Sequence, residues 1–345
     1  MSENDRAQGT TLHRRATALD VADKAGVSQS TVSRCFSPDS KISKKTRDHV
    51  LKVAAEMGYT PNAIARSLIT RRSGMVGVIL TQQSISSLPE MINALSQALG
   101  REGQRMLLIS PEDETHVGDV IDGAYGYPLD GVISCVTLTQ AQLDGFRTRG
   151  IPVAFYNRHP PGAMIDSVAT DHFEAARQVA DALYSAGHRR FLSIAGPLDA
   201  PVSRQRTRGF AERIEEMGAG HVSLVTADYT YEGGRRAFLD AVATGAKFDA
   251  VFCANDRIAM AVVDAARGEL GLSVPRDLSV VGFDDVSEAR QPAYDLTTVR
   301  QHLPEMAQAV VDLLRKRANA PESQPQRILI PGSFVARGTA RLADA

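Results

Sequence analysis

From Met75 onward, short apolar runs alternate with longer amphipathic stretches, and this alternation restricts the fold more than any other feature of the chain. The runs are VGVIL (76–80), MLLIS (106–110), GVIS (131–134), VAFY (153–156), FLSIA (191–195), SLVT (223–226), AVFCA (250–254) and SVVGF (279–283). Runs of four or five residues separated by helical segments read as βαβ units, and their continuous apolar character marks parallel sheet covered on both faces. Eight such runs imply two doubly wound subdomains in place of one. In sheets of this kind ligands bind outside the carboxyl ends of the strands. The loops beginning near Thr81, Ser110, Ser134, Asn157, Gly196, Thr226, Asn255 and Asp284 are therefore the places to look for a site.

The first 60 residues follow a different period. In ALDVADKAG, Val21 and Ala25 share one helical face, and Gly26 is a stop signal. Ser28 can cap a second helix with Val32 and Phe36 inward. Ser43 can cap a third, whose Val50, Val53, Ala54 and Met57 form an apolar stripe ending at Gly58. Two short helices joined by a tight turn, closed by a third, make a helix-turn-helix domain. Charge separates this part from the rest. Residues 1–73 carry 13 Lys and Arg against 7 Asp and Glu, whereas the remainder carries 26 against 33. A basic head on an acidic body points to a polyanionic partner for the head.

The second helix holds the recognition chemistry. Ser28, Gln29, Ser30, Thr31, Ser33 and Arg34 form its polar surface. Glutamine bonds adenine bidentately, arginine bonds guanine, and serine and threonine suit bases or phosphates. After Gly58 comes YTPNAIARSLIT, where Thr60 can cap and Pro61 suits a first helical position. About ten residues is too short for an isolated helix in water, so this segment needs an external template.

Together, LDVADKAGVSQSTVSR, ISKKTR, GYTPNAIARSL and the βαβ body resemble the LacI/GalR family of bacterial repressors, over about Ala18 to Arg341. The resemblance implies an α/β chain: an N-terminal helix-turn-helix DNA-binding domain and a periplasmic-binding-protein-like body of two doubly wound parallel-sheet subdomains. It divides the chain into a disordered arm (1–17), the helix-turn-helix domain (18–60), a hinge helix and linker (61–73) and the body (74–345). Subdomain 1 is expected over about 74–170 plus 301–325, and subdomain 2 over about 171–300 plus 326–341. Gln29, Ser30 and Arg34 match the family's base-reading positions. Leu68 matches its intercalating hinge leucine, with Asn62, Ala65 and Arg66 beside it. A leucine wedge between base steps is a known minor-groove device.

In the body, GPLDAPVSRQRTRGF resembles the family's loop of ligand-binding arginines, which assigns Arg204 and Arg206. Asn255, Asp284 and Gln301 match further ligand positions, and Tyr229 matches a stacking aromatic. Asn157 stands where an acidic residue is usual. Asp256 and Asp285 read instead as caps of the helices that follow. Ser87 and Leu88 replace an aromatic pair, and Ala200 stands where purine-responsive members have arginine. What remains fits a sugar or polyol.

The resemblance thus implies a repressor binding double-stranded operator DNA and a small effector. A homodimer is expected, because tetrameric members add a leucine heptad tail and this chain stops four residues past Arg341. Leu88, Met91, Ile92, Leu95 and Leu99 form an apolar stripe suited either to pairing or to packing on the sheet. No cofactor or metal is expected, since the three cysteines are scattered and no P-loop, GxGxxG, HExxH or nucleophile elbow occurs. With no signal peptide or membrane span in view, the expected place is the cytoplasm. The alternative, a periplasmic-type solute-binding protein, shares the body but has no use for residues 18–73.

Overall fold

The computed structural model describes residues 16–36, 40–60, 72–158, 164–198 and 200–343, without the side chains of residues 83, 86 and 87. The chain divides at Ser73/Gly74 into two compact units.

In the first unit, Thr17 and Asp20 close a capping box at the start of helix Ala18–Ala25. Gly26, at φ 65°, takes the left-handed conformation that ends it, which costs glycine no Cβ clash. Ser28 caps Gln29–Cys35 and Ser43 caps Lys44–Glu56. Val21, Ala22, Ala25, Val32, Cys35, Val50, Val53 and Ala54 form the core. Phe36 and Tyr59 cover it with rings edge to face at 5.8 Å.

The second unit contains two parallel sheets. Lobe 1 is built on β1 (Met75–Ile79), β2 (Arg105–Ile109), β3 (Gly131–Ser134), β4 (Val153–Tyr156) and β5 (Asp166–Thr170). Lobe 2 is built on β6 (Phe191–Ala195), β7 (Ser223–Thr226), β8 (Ala250–Cys253) and β9 (Ser279–Val281) in the order β7-β6-β8-β9. β10 (Thr298–Arg300), β11 (Arg327–Ile330) and β12 (Ser333–Val335) complete the chain. β11 joins β5, giving lobe 1 the order β11-β5-β4-β3-β1-β2, while β10 and β12 pair antiparallel at the crossover. Helices pack on both faces of each sheet, as continuous apolar strands require.

The chain passes between the lobes after Thr170, near Arg300 and again after Ile330. The last passage corrects the expected return to subdomain 2 at residue 326. Buried Asp166 accepts hydrogen bonds from Arg317 Nε (2.8 Å) and Gln326 N (2.8 Å), and this clamp draws Arg327–Ile330 onto the first sheet. Helix Pro89–Arg101 settles the apolar stripe. Met91, Leu95 and Leu99 are buried in lobe 1's own core, so the stripe packs on the sheet. Among the described residues no helix is long and apolar enough to cross a membrane, and no cluster of His, Cys, Asp and Glu could hold a metal.

Candidate functional site

On helix Gln29–Cys35, Ser28, Gln29, Ser30, Ser33 and Arg34 are exposed and Thr31 is half-buried. Ser28 Oγ lies 2.9 Å from Ser30 Oγ and 2.8 Å from Thr31 Oγ1, and it accepts the Thr31 N–H. Ser28 and Thr31 are thus committed to the helix start. Arg34 folds back one turn and donates from Nε to Ser30 O (3.3 Å) and from Nη2 to Ser30 Oγ (3.4 Å). Neither this helix nor Lys44–Glu56 has an acidic residue in its first turn, and Lys44 and Lys45 are exposed at the second one's start. Cations at the positive end of a helix dipole are unfavourable unless an anion is to be met there. Asn62, Ala65, Arg66 and Leu68 lie outside the described residues.

This geometry separates base reading from phosphate contact. Arg34→Ala is expected to weaken binding to the protein's selected DNA sequence by about 1–3 kcal/mol and to random duplex by less, in fluorescence titrations at one salt concentration. Equal losses on both would make Arg34 a phosphate contact.

The second constellation lies where the lobes meet. Asn157 Nδ2 donates to Gln301 Oε1 (2.9 Å), and Gln301 Nε2 donates to Asp284 Oδ1 (2.7 Å). Asp284 Oδ1 also receives Arg206 Nη2 (3.0 Å), and Arg206 Nε donates to His172 Nδ1 (3.3 Å). His172 Nε2 reaches Asn157 Oδ1 (3.2 Å), which closes a ring of five side chains. Asn157 follows β4 and His172 opens helix His172–Ser185 just past β5, so the ring joins the ends of lobe 1 strands to Asp284, beyond β9 in lobe 2. Because His172 Nδ1 accepts from Arg206, its proton sits on Nε2 and is donated to Asn157. Burial, followed by the charge of Arg206, holds its pKa well below the usual imidazole value. Burial pushes the Asp284 carboxyl up, against the opposing pull of Arg206 and Gln301. Phe283 lies under the guanidinium, 3.6 Å from its carbon to the ring centroid.

Backbone strain collects at the same place. Asn157 (φ 51°), Tyr229 (φ 64°), Asp284 (φ 121°) and Asp285 (φ 58°) all occupy conformations that residues with a Cβ rarely adopt. Such strain persists where surrounding contacts over-determine it, characteristically at ligand sites. A cavity of about 200 Å³ adjoins Asp284, lined also by Pro89, Tyr231, Asn255 and Glu288.

Of the expected ligand residues, Asn157, Arg206, Asp284 and Gln301 come together in the ring and Asn255 lines the cavity. Arg204 does not join them. Two residues from Arg206 on helix Pro201–Glu216, it points about 200° away, is exposed, and donates to Leu198 O (3.0 Å). Tyr229 lies against Gly196, where a Cβ would collide with its ring, and Tyr231 is the tyrosine that lines the cavity. Leu88 is wedged against the apolar cores of both lobes, whereas the Ser87 side chain lies outside the description.

The two expected caps are corrected as well. Asn255 caps helix Asp256–Gly268 by accepting from Ile258 N (2.9 Å), and its Nδ2 donates to Tyr229 O (3.3 Å). Asp256, one residue inside, accepts from Val286 N (2.9 Å) and Thr298 Oγ1. Asp285 receives Arg290 (3.1 Å), Arg300 (2.6 Å) and Arg337 (2.6 Å), pinning three segments of the crossover. Burial alone would raise its carboxyl, but these arginines bring it below the usual range.

Asp256 yields a pH dependence. Burial, with Asp284 nearby, pushes its carboxyl up to about 7. A folded pKa above the unfolded value of about 3.9 means stability complete below the unfolded pKa and lost as pH rises through about 7. Asp256→Asn should flatten that decline and stabilise the body above pH 7, read by urea unfolding from pH 5 to 8.5. A parallel decline in the variant would assign it to other groups.

Comparison with known proteins finds relatives for both parts of the chain. Residues 17–62 match the bacterial regulatory proteins of the lacI family, and residues 180–340 match a periplasmic binding protein-like domain. The head carries a lacI-type regulatory domain, and the whole chain is similar to lacI-family regulators. It is 29% identical to the HTH-type transcriptional regulator DegA of Bacillus subtilis (strain 168), over 94% of this chain and 97% of that one. Its fold matches the lac repressor dimer bound to operator and the anti-inducer ONPF with a TM-score of 0.85, at 25% identity over 96% of this chain and all of the other. It also matches the transcriptional regulator CelR–cellobiose complex with a TM-score of 0.71, at 26% identity over 94% and 100%. With a lacI-type head and a periplasmic-binding-protein-like body, the chain is similar to DNA-binding, ligand-responsive transcriptional regulators.

Among the residues that sequence patterns missed, His172 closes the ring without belonging to any motif. Its only signal is a position just past the end of a strand, a strand the sequence also hid.

Proposed function

We propose that this chain is a cytoplasmic, homodimeric repressor whose operator affinity is set by a neutral sugar or polyol bound where the lobes meet. The observation that carries this reading is the five-residue ring beside the 200 Å³ cavity, at the carboxyl ends of strands from both lobes. A ligand there favours one relative placement of the lobes, because its contacts come from both. The head is joined at Ser73/Gly74 to β1, within lobe 1, so lobe placement reaches the DNA-binding unit through that covalent connection. The segment holding Asn62, Ala65, Arg66 and Leu68 is its hinge to the DNA. Cellobiose in the CelR complex and the dimeric state of the lac repressor support the ligand class and the assembly.

We read the body as a binding module and not as an enzyme, because both His172 nitrogens and the shared Asp284 oxygen are committed to one another. Thermal-shift screening of the full chain against sugars, polyols, sugar acids and purines tests this reading. A neutral sugar or polyol should raise the melting temperature. A response confined to purines would overturn the assignment.

A further inference from the structure

A second cavity, of about 310 Å³, lies where β11 of lobe 1 meets the helices of lobe 2. It shares no lining residue with the cavity beside Asp284. Lobe 1 contributes Arg327 and Leu329, both exposed on edge strand β11. Helix Pro201–Glu216 of lobe 2 contributes Gln205 and Arg208, and Asp171 and Phe173 come from the crossover that opens helix His172–Ser185. Asp171 and Phe173 flank His172, and Gln205 precedes Arg206, so chain neighbours of two ring residues form part of the wall. Local contacts fix that wall in place. Asp171 N–H donates to Ile330 O (2.9 Å), which ties β11 to the crossover. Gly209 lets helix Pro201–Glu216 approach the start of helix His172–Ser185 so closely that a Cβ there would collide with Phe173 O.

The lining is rich in donors. Among the described residues, the Arg327 guanidinium and the Gln205 amide make no hydrogen bond or ion pair. Arg208 meets Glu212 through Nε (2.6 Å), an exposed pair that leaves its two terminal nitrogens for another acceptor. The same guanidinium lies 5.2 Å from the Phe173 ring centroid, and Leu329 adds apolar surface to the cavity. Asp171 is the only carboxylate among the lining residues. It caps helix His172–Ser185 by accepting the Glu174 N–H (3.1 Å), which sets its charge against the positive end of that helix. Arginine forks grip phosphate and carboxylate, and an aromatic ring offers its face or edge to a flat apolar body. We propose that this cavity is a second small-molecule site, which holds a small organic anion with a flat, apolar body between the lobes. Arg208 from lobe 2 and Arg327 from lobe 1 grip the anionic group, while Phe173 and Leu329 cover the body. Because its contacts come from both lobes, such a ligand favours one placement of the lobes, whatever binds beside Asp284.

Calorimetric titration of the full chain with phenyl phosphate, inorganic phosphate and benzyl alcohol tests both halves of this recognition. Phenyl phosphate should bind wild type, and each of the other two should bind at least about tenfold more weakly. Arg327→Gln and Arg208→Gln should each weaken phenyl phosphate about ten- to a hundredfold, since each removes charge-assisted hydrogen bonds from one lobe. Both side chains are exposed, so the melting temperatures of the two variants should stay within about 2 °C of wild type. Arg276→Gln, which removes an exposed charge elsewhere in lobe 2, should leave the affinity unchanged. An equal loss in that variant would reduce the effect to net charge and overturn the site. Weakening by only one of the two cavity variants would mean that a single lobe holds the ligand, and would overturn a site between the lobes. Inorganic phosphate binding as tightly as phenyl phosphate would overturn the apolar half of the recognition, and benzyl alcohol doing so would overturn the anionic half. No binding of phenyl phosphate at millimolar concentration would overturn the proposal as a whole.

Discussion

Arg206→Met is expected to destabilise the body by about 3–5 kcal/mol, the usual cost of removing one partner from a buried ion pair. The guanidinium and the Asp284 carboxylate are only 4% and 11% exposed, so water does little to screen the loss. The substitution also strips donors from Ala254 O and His172, and opens the ring at two points. The carboxyl of Asp284, already raised by burial, would rise further without the opposing guanidinium. Urea unfolding that follows the body transition checks the figure. Arg204→Met, on the exposed face of the same helix, should stay within about 0.5 kcal/mol. A comparable loss for Arg204 would mean that the helix, and not the ring, carries the effect.

The second large effect concerns the head. Six to ten phosphate contacts from a dimer would lower DNA affinity by about 10³–10⁵ between 50 and 200 mM salt. Lys44, Lys45 and Arg34 are exposed in each copy of the head, and Arg66 belongs to the hinge proposed above. The head's net charge of +6 is set against −7 over the rest of the chain, so the body supplies no compensating attraction. A nearly flat dependence of log Kd on log salt, from 50 to 200 mM, would contradict phosphate-led binding.

How much of this was legible in the sequence follows from physical scale. All eight apolar runs form strands: six are buried along almost their whole length, which demands continuous apolar composition, and the partly exposed edge strands β2 and β7 keep that composition too. The strands that went unread each break that rule. Asp166–Thr170 begins with a buried aspartate whose charge is met by Arg317, about 150 residues downstream. Arg327–Ile330 is an edge strand with Arg327 and Leu329 exposed, and the crossover pair has three residues per strand. In the head, the caps Ser28 and Ser43 and the stop at Gly26 depend on neighbours within four residues, and they appear where local chemistry put them.

The body site obeys a different rule. Asn157, Arg206, Asp284 and Gln301 could be found because they fall at strand ends, at the crossover or in a family loop. Their partnership could not, since it joins residues as much as 144 apart in sequence. The choice between Arg204 and Arg206 depends on which face of one helix turns inward, and that is fixed by Phe210, Ile214 and the sheet beneath. Asn255 and Asp256 both make good caps, and only the Thr298 hydroxyl and Val286 N–H waiting one residue on decide between them. His172 and Tyr231 carried no local signal. Each matters through a contact made by another part of the chain.

The central claim is that the lobe junction and the head are thermodynamically linked. The most direct test is to measure the DNA affinity of the full chain with and without the sugar that stabilises it, for wild type and for Asp284→Asn. In wild type, saturating ligand should change the DNA Kd by about 5- to 150-fold, and saturating DNA should change the ligand Kd by the same factor. Asp284→Asn should need about ten to a hundred times more ligand to respond. A wild-type DNA Kd that does not move at saturating ligand would contradict the account.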